Sequence, residues 1–174
     1  MESINKKFII FGITAIRIIL APIFLFTILN NFLIYSIVIF ILAGTSDIID
    51  GFIARRYDLN SSKGAYFDIS SDFIFILAGF SGFVINGMYP SWVLIIIVIM
   101  FLQFLVTSKS KIPVYDPIGK YYGSFLYLTI FIGLTITNPL FYFLLTILIV
   151  IFTLISIMSH LFFMKKHQNH HKSK

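Results

Sequence analysis

The sequence predicts an all-α integral membrane protein with six transmembrane helices. First, 59% of the 174 residues are apolar and only 11% are charged, whereas soluble domains average about 45–50% and about 25%. Second, the chain contains six apolar stretches of roughly the twenty residues that cross about 30 Å of hydrocarbon. Third, the basic residues collect on one side of the resulting topology. Cysteine is absent, which excludes disulfides, thiolate metal sites and a thiol nucleophile.

The six predicted spans follow one another with short connections. In chain order they cover residues 8–29, 32–51, 66–85, 91–107, 118–136 and 140–164. Asparagine, glycine and proline mark the connections, as in the segments 30–31, 86–90 and 138–139. We therefore expect a single transmembrane domain, residues 1–166, and a polar C-terminal tail, residues 167–174.

The basic residues predict how these helices are oriented. An even number of crossings places both termini on one side, and twelve of the thirteen Lys and Arg residues flank the helices on that side. The connections on the opposite side contain none. By the positive-inside rule, both termini face the cytoplasm of a cell membrane. The net charge of +6 then reflects topology and lipid headgroups, and nucleic acid is not an expected partner.

Acidic residues cluster where the second and third helices meet the cytoplasm. Five of the seven carboxylates fall between Asp47 and Asp72. Asp47, Asp50, Asp68 and Asp72 interrupt or border apolar helices, where each charge costs at least about 2.5 kcal/mol. Asp47 and Asp50 share one helix face, as do Asp68 and Asp72, and a short connection is expected to make the two helices antiparallel neighbours.

Four converging carboxylates need protons or cations to neutralise them. Their mutual repulsion is on the order of 10 kcal/mol at an effective dielectric constant of about 20. Hard oxygen ligands, without cysteine or suitably spaced histidine, favour Mg²⁺ or Mn²⁺ over zinc. The sequence therefore predicts a divalent metal site.

Small residues and an arginine accompany the acids. Gly51 follows Asp50 directly, Ala54 lies one turn further, and Gly64 precedes Asp68 by four residues. These positions leave room for a ligand against the backbone. Arg55 is a fixed cation suited to phosphate. Metal-binding acids, open backbone and an arginine together indicate a diphosphate site.

This arrangement resembles the CDP-alcohol phosphatidyltransferase family. The chain reads Asp47-x-x-Asp50-Gly51-x-x-Ala54-Arg55, then eight residues, then Gly64-x-x-x-Asp68-x-x-x-Asp72, which matches the fixed positions of the family motif. The likeness extends to six helices over nearly the whole chain, to Thr14-x-x-Arg17 in the first helix, and to Gly119-Lys120 at the start of the fifth.

The resemblance implies an activity and a role for each motif residue. Family members move a phosphatidyl or archaetidyl group from a CDP-linked lipid to the hydroxyl of a small polar alcohol and release CMP. Asp47, Asp50, Asp68 and Asp72 would hold a pair of divalent metal ions, with Asp72 also as the general base. Five residues would contact the nucleotide: Thr14, Gly51, Ala54, Arg55 and Gly64. A homodimer is implied by the resemblance alone.

The acceptor alcohol stays open at this level. Lys109, Lys111 and Lys120 surround the segment 113–117, and Arg17 is the lone basic residue inside a helix. Arg17, Lys111 and Lys120 would suit the phosphate of a phosphorylated acceptor, with glycerol 3-phosphate the first candidate. Inositol phosphate, serine and other alcohols remain alternatives, as do ester-linked and archaeal donor lipids.

Two other classes of membrane protein also use intramembrane acids. An intramembrane prenyltransferase binds a lipid diphosphate through aspartate–Mg²⁺ clusters, but it would show Asn-Asp or Asp-Asp clusters in two halves of a longer chain. A small cation transporter would spread its acids across the bilayer, whereas these collect at one end. Both remain alternatives to a lipid transferase, as does a non-enzymatic family member.

Overall fold

The computed structural model is all-helical in the residues it describes, 2–56, 62–108 and 119–172. The predicted all-α class with six helices is thus confirmed. The chain divides into two compact units, Met1–Met88 and Tyr89–Lys174. The first contains α1 (Glu2–Leu29), α2 (Leu33–Arg56) and α3 (Ser62–Ile85); the second contains α4 (Trp92–Ser108), a 3₁₀ turn (Gly119–Tyr121), α5 (Tyr122–Thr135) and α6 (Pro139–Lys172). α6 continues through most of the segment expected to be a polar tail.

Only part of the six-span topology is visible in helix length and composition. Two described helical segments are long and apolar enough to cross a membrane, Tyr66–Ile85 and Pro139–His160. The described apolar parts of the other four helices are shorter, at 10–17 residues, against about twenty for a full crossing. Large apolar side chains such as Ile34, Ile48 and Phe162 are nevertheless exposed along the surface. The six-span topology stays a prediction.

In the first unit, α1 packs against both of the other helices. Close backbone approach occurs between α1 and α2 and between α1 and α3. In the described part of the chain, α2 and α3 meet through side chains, as in the 6.4 Å separation of the Phe40 and Phe75 ring centroids. α2 and α3 are therefore neighbours through their side chains, in agreement with the sequence-based expectation, whereas the close backbone approaches in the described residues are those that α1 makes to each of them.

Two helices of the first unit, α1 and α3, end in the same type of turn. Asn31 (φ 56°) and Gly87 (φ 73°) adopt the left-handed conformation two residues after the last residues of α1 and α3. Phe32 N–H donates to the Thr27 carbonyl at 2.9 Å, and Met88 N–H donates to the Phe83 carbonyl at 2.8 Å. These bonds define Schellman motifs, which satisfy the last carbonyls of a helix.

The far ends of α1 and α3 are also held together. The Asn86 side-chain amide donates to the Ile28 carbonyl at 2.9 Å. Next to this bond, Gly82 lies so close to Ile28 that an added Cβ would approach the Ile28 side chain to 2.6 Å. Glycine at this position thus permits the close crossing of α1 and α3.

Several buried hydroxyls described in the second unit form neutral hydrogen bonds. The Tyr122 hydroxyl lies 2.9 Å from Thr153 Oγ1, and Thr153 donates its own proton to the Ile149 carbonyl at 2.7 Å. The Tyr142 hydroxyl donates to the Gly133 carbonyl at 2.7 Å. At the start of α6, the Asn138 side chain accepts from Leu140 N–H at 2.9 Å, with Pro139 as the first helical residue. The two tyrosine bonds join α5 to α6.

Candidate active site

The candidate site is built around a buried arginine of the first unit. Arg17 lies on α1 with a fully buried side chain, 0% exposed. Its Nη1 contacts Asp72 Oδ1 and lies 3.1 Å from Asp47 Oδ1, while its Nη2 contacts Asp68 Oδ1. One guanidinium thus joins α1 to α2, which carries Asp47, and to α3, which carries Asp68 and Asp72.

The three carboxylates are half-buried above the arginine. Their side chains are 47% (Asp47), 38% (Asp68) and 28% (Asp72) exposed. Arg17 therefore forms the base of the site, and the acids lie between it and the surface. This gradient leaves carboxylate oxygens accessible to a cation or a small polar molecule while the guanidinium is shielded.

The three acids suit a hard divalent cation. One oxygen from each of Asp47, Asp68 and Asp72 can be chosen so that all three lie within 4.8 Å of one another. Opposite ligands in an octahedral Mg²⁺ shell, with bonds of 2.0–2.1 Å, lie about 4 Å apart. A small inward movement of the side chains would thus reach ligand distance, and an all-oxygen donor set is the one that Mg²⁺ and Mn²⁺ prefer.

A layer of phenylalanines closes the site from below. Phe24 lies seven residues after Arg17, Phe75 seven after Asp68, and Phe40 seven before Asp47. Seven residues are about two helical turns, or about 10 Å, on the same helix face. Phe24 and Phe75 are stacked with centroids 4.7 Å apart, and Phe40 lies 6.3 Å from Phe24. The charged layer therefore rests on an aromatic layer contributed by the same three helices.

Sequence reasoning missed both this aromatic layer and the partners of Arg17. The seven-residue spacing of each phenylalanine from a charged residue was the available signal for the layer. For Arg17, the signal was a single intramembrane cation facing four intramembrane acids, because a buried charge needs an opposite charge. The sequence pattern suggested Arg17 as a contact for an acceptor phosphate, and the structure places it against the carboxylates.

The remaining predicted site residues are described to different extents. Thr14 is buried one turn before Arg17 on α1, and Gly64 is half-buried one turn before Asp68 on α3. The predicted ligand Asp50 lies in α2, with its side chain outside the described set, as do three nucleotide-site residues, Gly51, Ala54 and Arg55. Lys120 lies in the 3₁₀ turn, also without a described side chain, and Lys111 lies outside the described residues.

The hydroxyls of two serines next to the acids donate hydrogen bonds to backbone carbonyls. Ser46 donates to the Ala43 carbonyl and Ser71 to the Asp68 carbonyl, at 2.8 and 2.7 Å. Both serines are buried directly before Asp47 and Asp72 in the chain. Small residues at these positions let the three helices come together around Arg17.

The first unit thus has three apolar helices with an acidic site at one end that suits a divalent cation. These features define the class of protein: a helical protein with a candidate divalent-metal centre. The sequence model of the CDP-alcohol phosphatidyltransferases matches residues 11–164, and the chain belongs to that family. Its members are membrane-associated transferases that use divalent metals.

A curated relative matches part of the chain. The CDP-diacylglycerol–glycerol-3-phosphate 3-phosphatidyltransferase of Wigglesworthia glossinidia brevipalpis is 30% identical over 102 residues. This match covers 57% of the chain and 56% of the relative, so the chain aligns with little more than half the length of that protein. The relationship supports the family assignment made from the motif.

Proposed function

We propose that this protein transfers a phosphatidyl or archaetidyl group from a CDP-lipid to the hydroxyl of a small polar alcohol and releases CMP. The observation that carries the proposal is the convergence of Asp47, Asp68 and Asp72 around Arg17, inside the region matched by the family. Glycerol 3-phosphate is the first candidate acceptor, because the curated relative is named for it.

Asp47, Asp68 and Asp72, together with Asp50 of the same motif, would hold Mg²⁺ or Mn²⁺. A divalent ion held by these residues would supply positive charge that stabilises a bound diphosphate and the negative charge that develops on departing CMP. The half-exposed acids are open to a diphosphate that approaches from the surface, and the phenylalanine layer lies beneath them.

Asp72 is the proposed general base. The acceptor hydroxyl oxygen forms a bond to the lipid-side phosphorus, the bond from that phosphorus to the CMP oxygen breaks, and the hydroxyl proton passes to the Asp72 carboxylate. Asp72 is the least exposed of the three described acids, which suits a group that accepts a proton within a closed complex. This direct displacement needs no covalent enzyme intermediate.

The other motif residues are proposed to bind the two substrates. Thr14, Gly51, Ala54, Arg55 and Gly64 would contact the cytidine nucleotide, because the small residues leave backbone open and arginine suits phosphate. Three basic residues are proposed to contact the phosphate of the acceptor: Arg17, Lys111 and Lys120. The wider proposal includes six spans, a cytoplasmic site and a homodimer.

A CMP-release assay tests this function. Protein purified in detergent is mixed with CDP-diacylglycerol and one acceptor, either glycerol 3-phosphate, inositol phosphate or serine, with Mg²⁺, Mn²⁺ or EDTA. We expect CMP release that requires both a divalent metal and an acceptor, with a lipid product of matching headgroup. No release with any of a broad acceptor panel, with ester- and ether-linked donors, would contradict the proposal.

A further inference from the structure

Arg17 has a position in the site that the metal-binding scheme does not explain. Its side chain is fully buried, and the two ends of its planar fork face different acids. Nη1 contacts Asp47 and Asp72, and Nη2 contacts Asp68. The guanidinium therefore occupies the space between α1, α2 and α3 that the carboxylate oxygens surround.

The charges in this cluster are complementary but not balanced. Three carboxylates and one guanidinium leave a formal charge of −2 among the described site side chains, which one divalent cation would match. Removing one partner of a buried ion pair destabilises a protein strongly, because the other charge is left uncompensated. Without metal, Arg17 is thus the cation that holds the three acids at one point.

We propose that Arg17 is a built-in counter-ion that holds the acidic site together without metal and competes with the divalent ion for the same carboxylates. This inference rests on the metal site of the proposed function. It makes Arg17 a positioning residue whose charge sets the metal concentration at which the site loads. A guanidinium that gives up carboxylate oxygens also becomes available to a substrate phosphate.

The competition has two physical sources. The guanidinium hydrogen-bonds to oxygens that a metal would coordinate, and its positive charge repels a second cation a few ångströms away. Both effects weaken metal binding in the native protein. A residue that merely shaped the site would have the opposite effect, because its removal would loosen the ligands and weaken metal binding.

Mn²⁺ binding to full-length protein in detergent measures the effect without any substrate. Free Mn²⁺ is followed by electron paramagnetic resonance in wild-type protein, Arg17→Gln and Arg17→Lys. We expect Arg17→Gln to bind Mn²⁺ about tenfold more tightly than wild type. In EDTA its Tm, followed by circular dichroism, should fall by about 5 °C or more, and saturating Mn²⁺ should recover most of this loss.

Arg56→Gln is the matched control. Arg56 is an exposed residue of α2 whose guanidinium lies 5.9 Å from the centroid of the Phe52 ring, nine residues beyond Asp47. Its substitution removes the same charge from the same helix, and we expect unchanged Mn²⁺ affinity and Tm. Equal tightening in both variants would show that only net charge matters and would overturn the specific role of Arg17.

Each remaining outcome decides the proposal. Weaker or unchanged Mn²⁺ binding by Arg17→Gln overturns it while leaving the metal site intact, whereas no Mn²⁺ binding by wild type or variant overturns the metal site itself. If Arg17→Gln folds only with Mn²⁺, the counter-ion role is supported directly. If Arg17→Gln folds neither with nor without Mn²⁺, the Arg17→Lys variant decides, because a single ammonium group cannot make the paired hydrogen bonds of a guanidinium. Mn²⁺ binding about threefold tighter than in wild type supports the competition. Unchanged or weaker Mn²⁺ binding overturns it.

Discussion

The two units of the chain bury polar groups in different ways. The first places a charged arginine beneath three acids, whereas the buried polar side chains described in the second carry neutral hydroxyls. There, hydroxyls pair with one another and with carbonyls, as Tyr122 does with Thr153 and Tyr142 with Gly133. Among the described side chains, the buried charge thus lies where opposite charges neutralise it, in the candidate active site. Substitutions in the two units should therefore differ in kind and in size.

The largest effect is expected from Asp72→Asn. The amide keeps the shape of the side chain but cannot take the acceptor proton, so turnover should fall by about 10²–10⁴-fold. Binding of the CDP-lipid should remain measurable by equilibrium titration. Turnover equal to wild type in the CMP-release assay would remove Asp72 as the base.

A smaller loss is expected from Asp47→Asn and Asp68→Asn. Each removes one anionic ligand, so activity at low Mg²⁺ should fall by at least the roughly 10–100-fold that outer-shell partners of a metal account for. Higher Mn²⁺ should restore part of it. Metal titrations of the reaction measure this shift, and superimposable curves for wild type and variants would argue against ligation.

Gly82→Ala should reduce stability without touching the charged site. The new Cβ would lie 2.6 Å from Ile28 Cγ2, and overpacking of this kind costs about 1–3 kcal/mol. Gly123→Ala in α5 is the matched control, because its Cβ would meet nothing within 4 Å. Thermal unfolding by circular dichroism should show a lower Tm for Gly82→Ala alone. Equal Tm values would contradict the close crossing of α1 and α3.

The smallest effect is expected from Tyr122→Phe in the second unit. Thr153 donates to the Ile149 carbonyl, so the tyrosine hydroxyl donates to Thr153 Oγ1, and this bond is lost. Hydrogen bonds between membrane helices contribute about 0.6 kcal/mol on average. The variant should therefore unfold within about 2 °C of wild type. A much larger drop in Tm would mean that this neutral pair matters as much as the charged cluster.

The sequence alone predicted the fold class and identified the acids of the candidate site. Apolar stretches with turn residues between them predicted the six helices, and the ends of α1 and α3 fall next to Asn30–Asn31 and Asn86–Gly87 as expected. The spacing of Asp68 and Asp72 on one helix face follows from 3.6 residues per turn. These features are local, since each depends on residues a few positions apart.

How closely each pair of helices packs was beyond local reasoning. The short connection predicted that α2 and α3 are neighbours, and their side chains do meet, but it did not indicate that α1 makes close backbone approaches to both. Loop length limits how far apart two helices can be, and it does not determine which other helix packs against them. The pairing of Arg17 with acids thirty or more residues away follows from the packing of α1 against both helices.

The sequence by itself determined the helices, the motif acids and the family, because these depend on composition and on fixed spacing along the chain. Only the tertiary structure decided that Arg17 joins Asp47, Asp68 and Asp72, and that Phe24, Phe40 and Phe75 lie beneath them. Contacts between helices depend on which faces meet, and a buried charge is stable only where packing brings its counter-charges within a few ångströms.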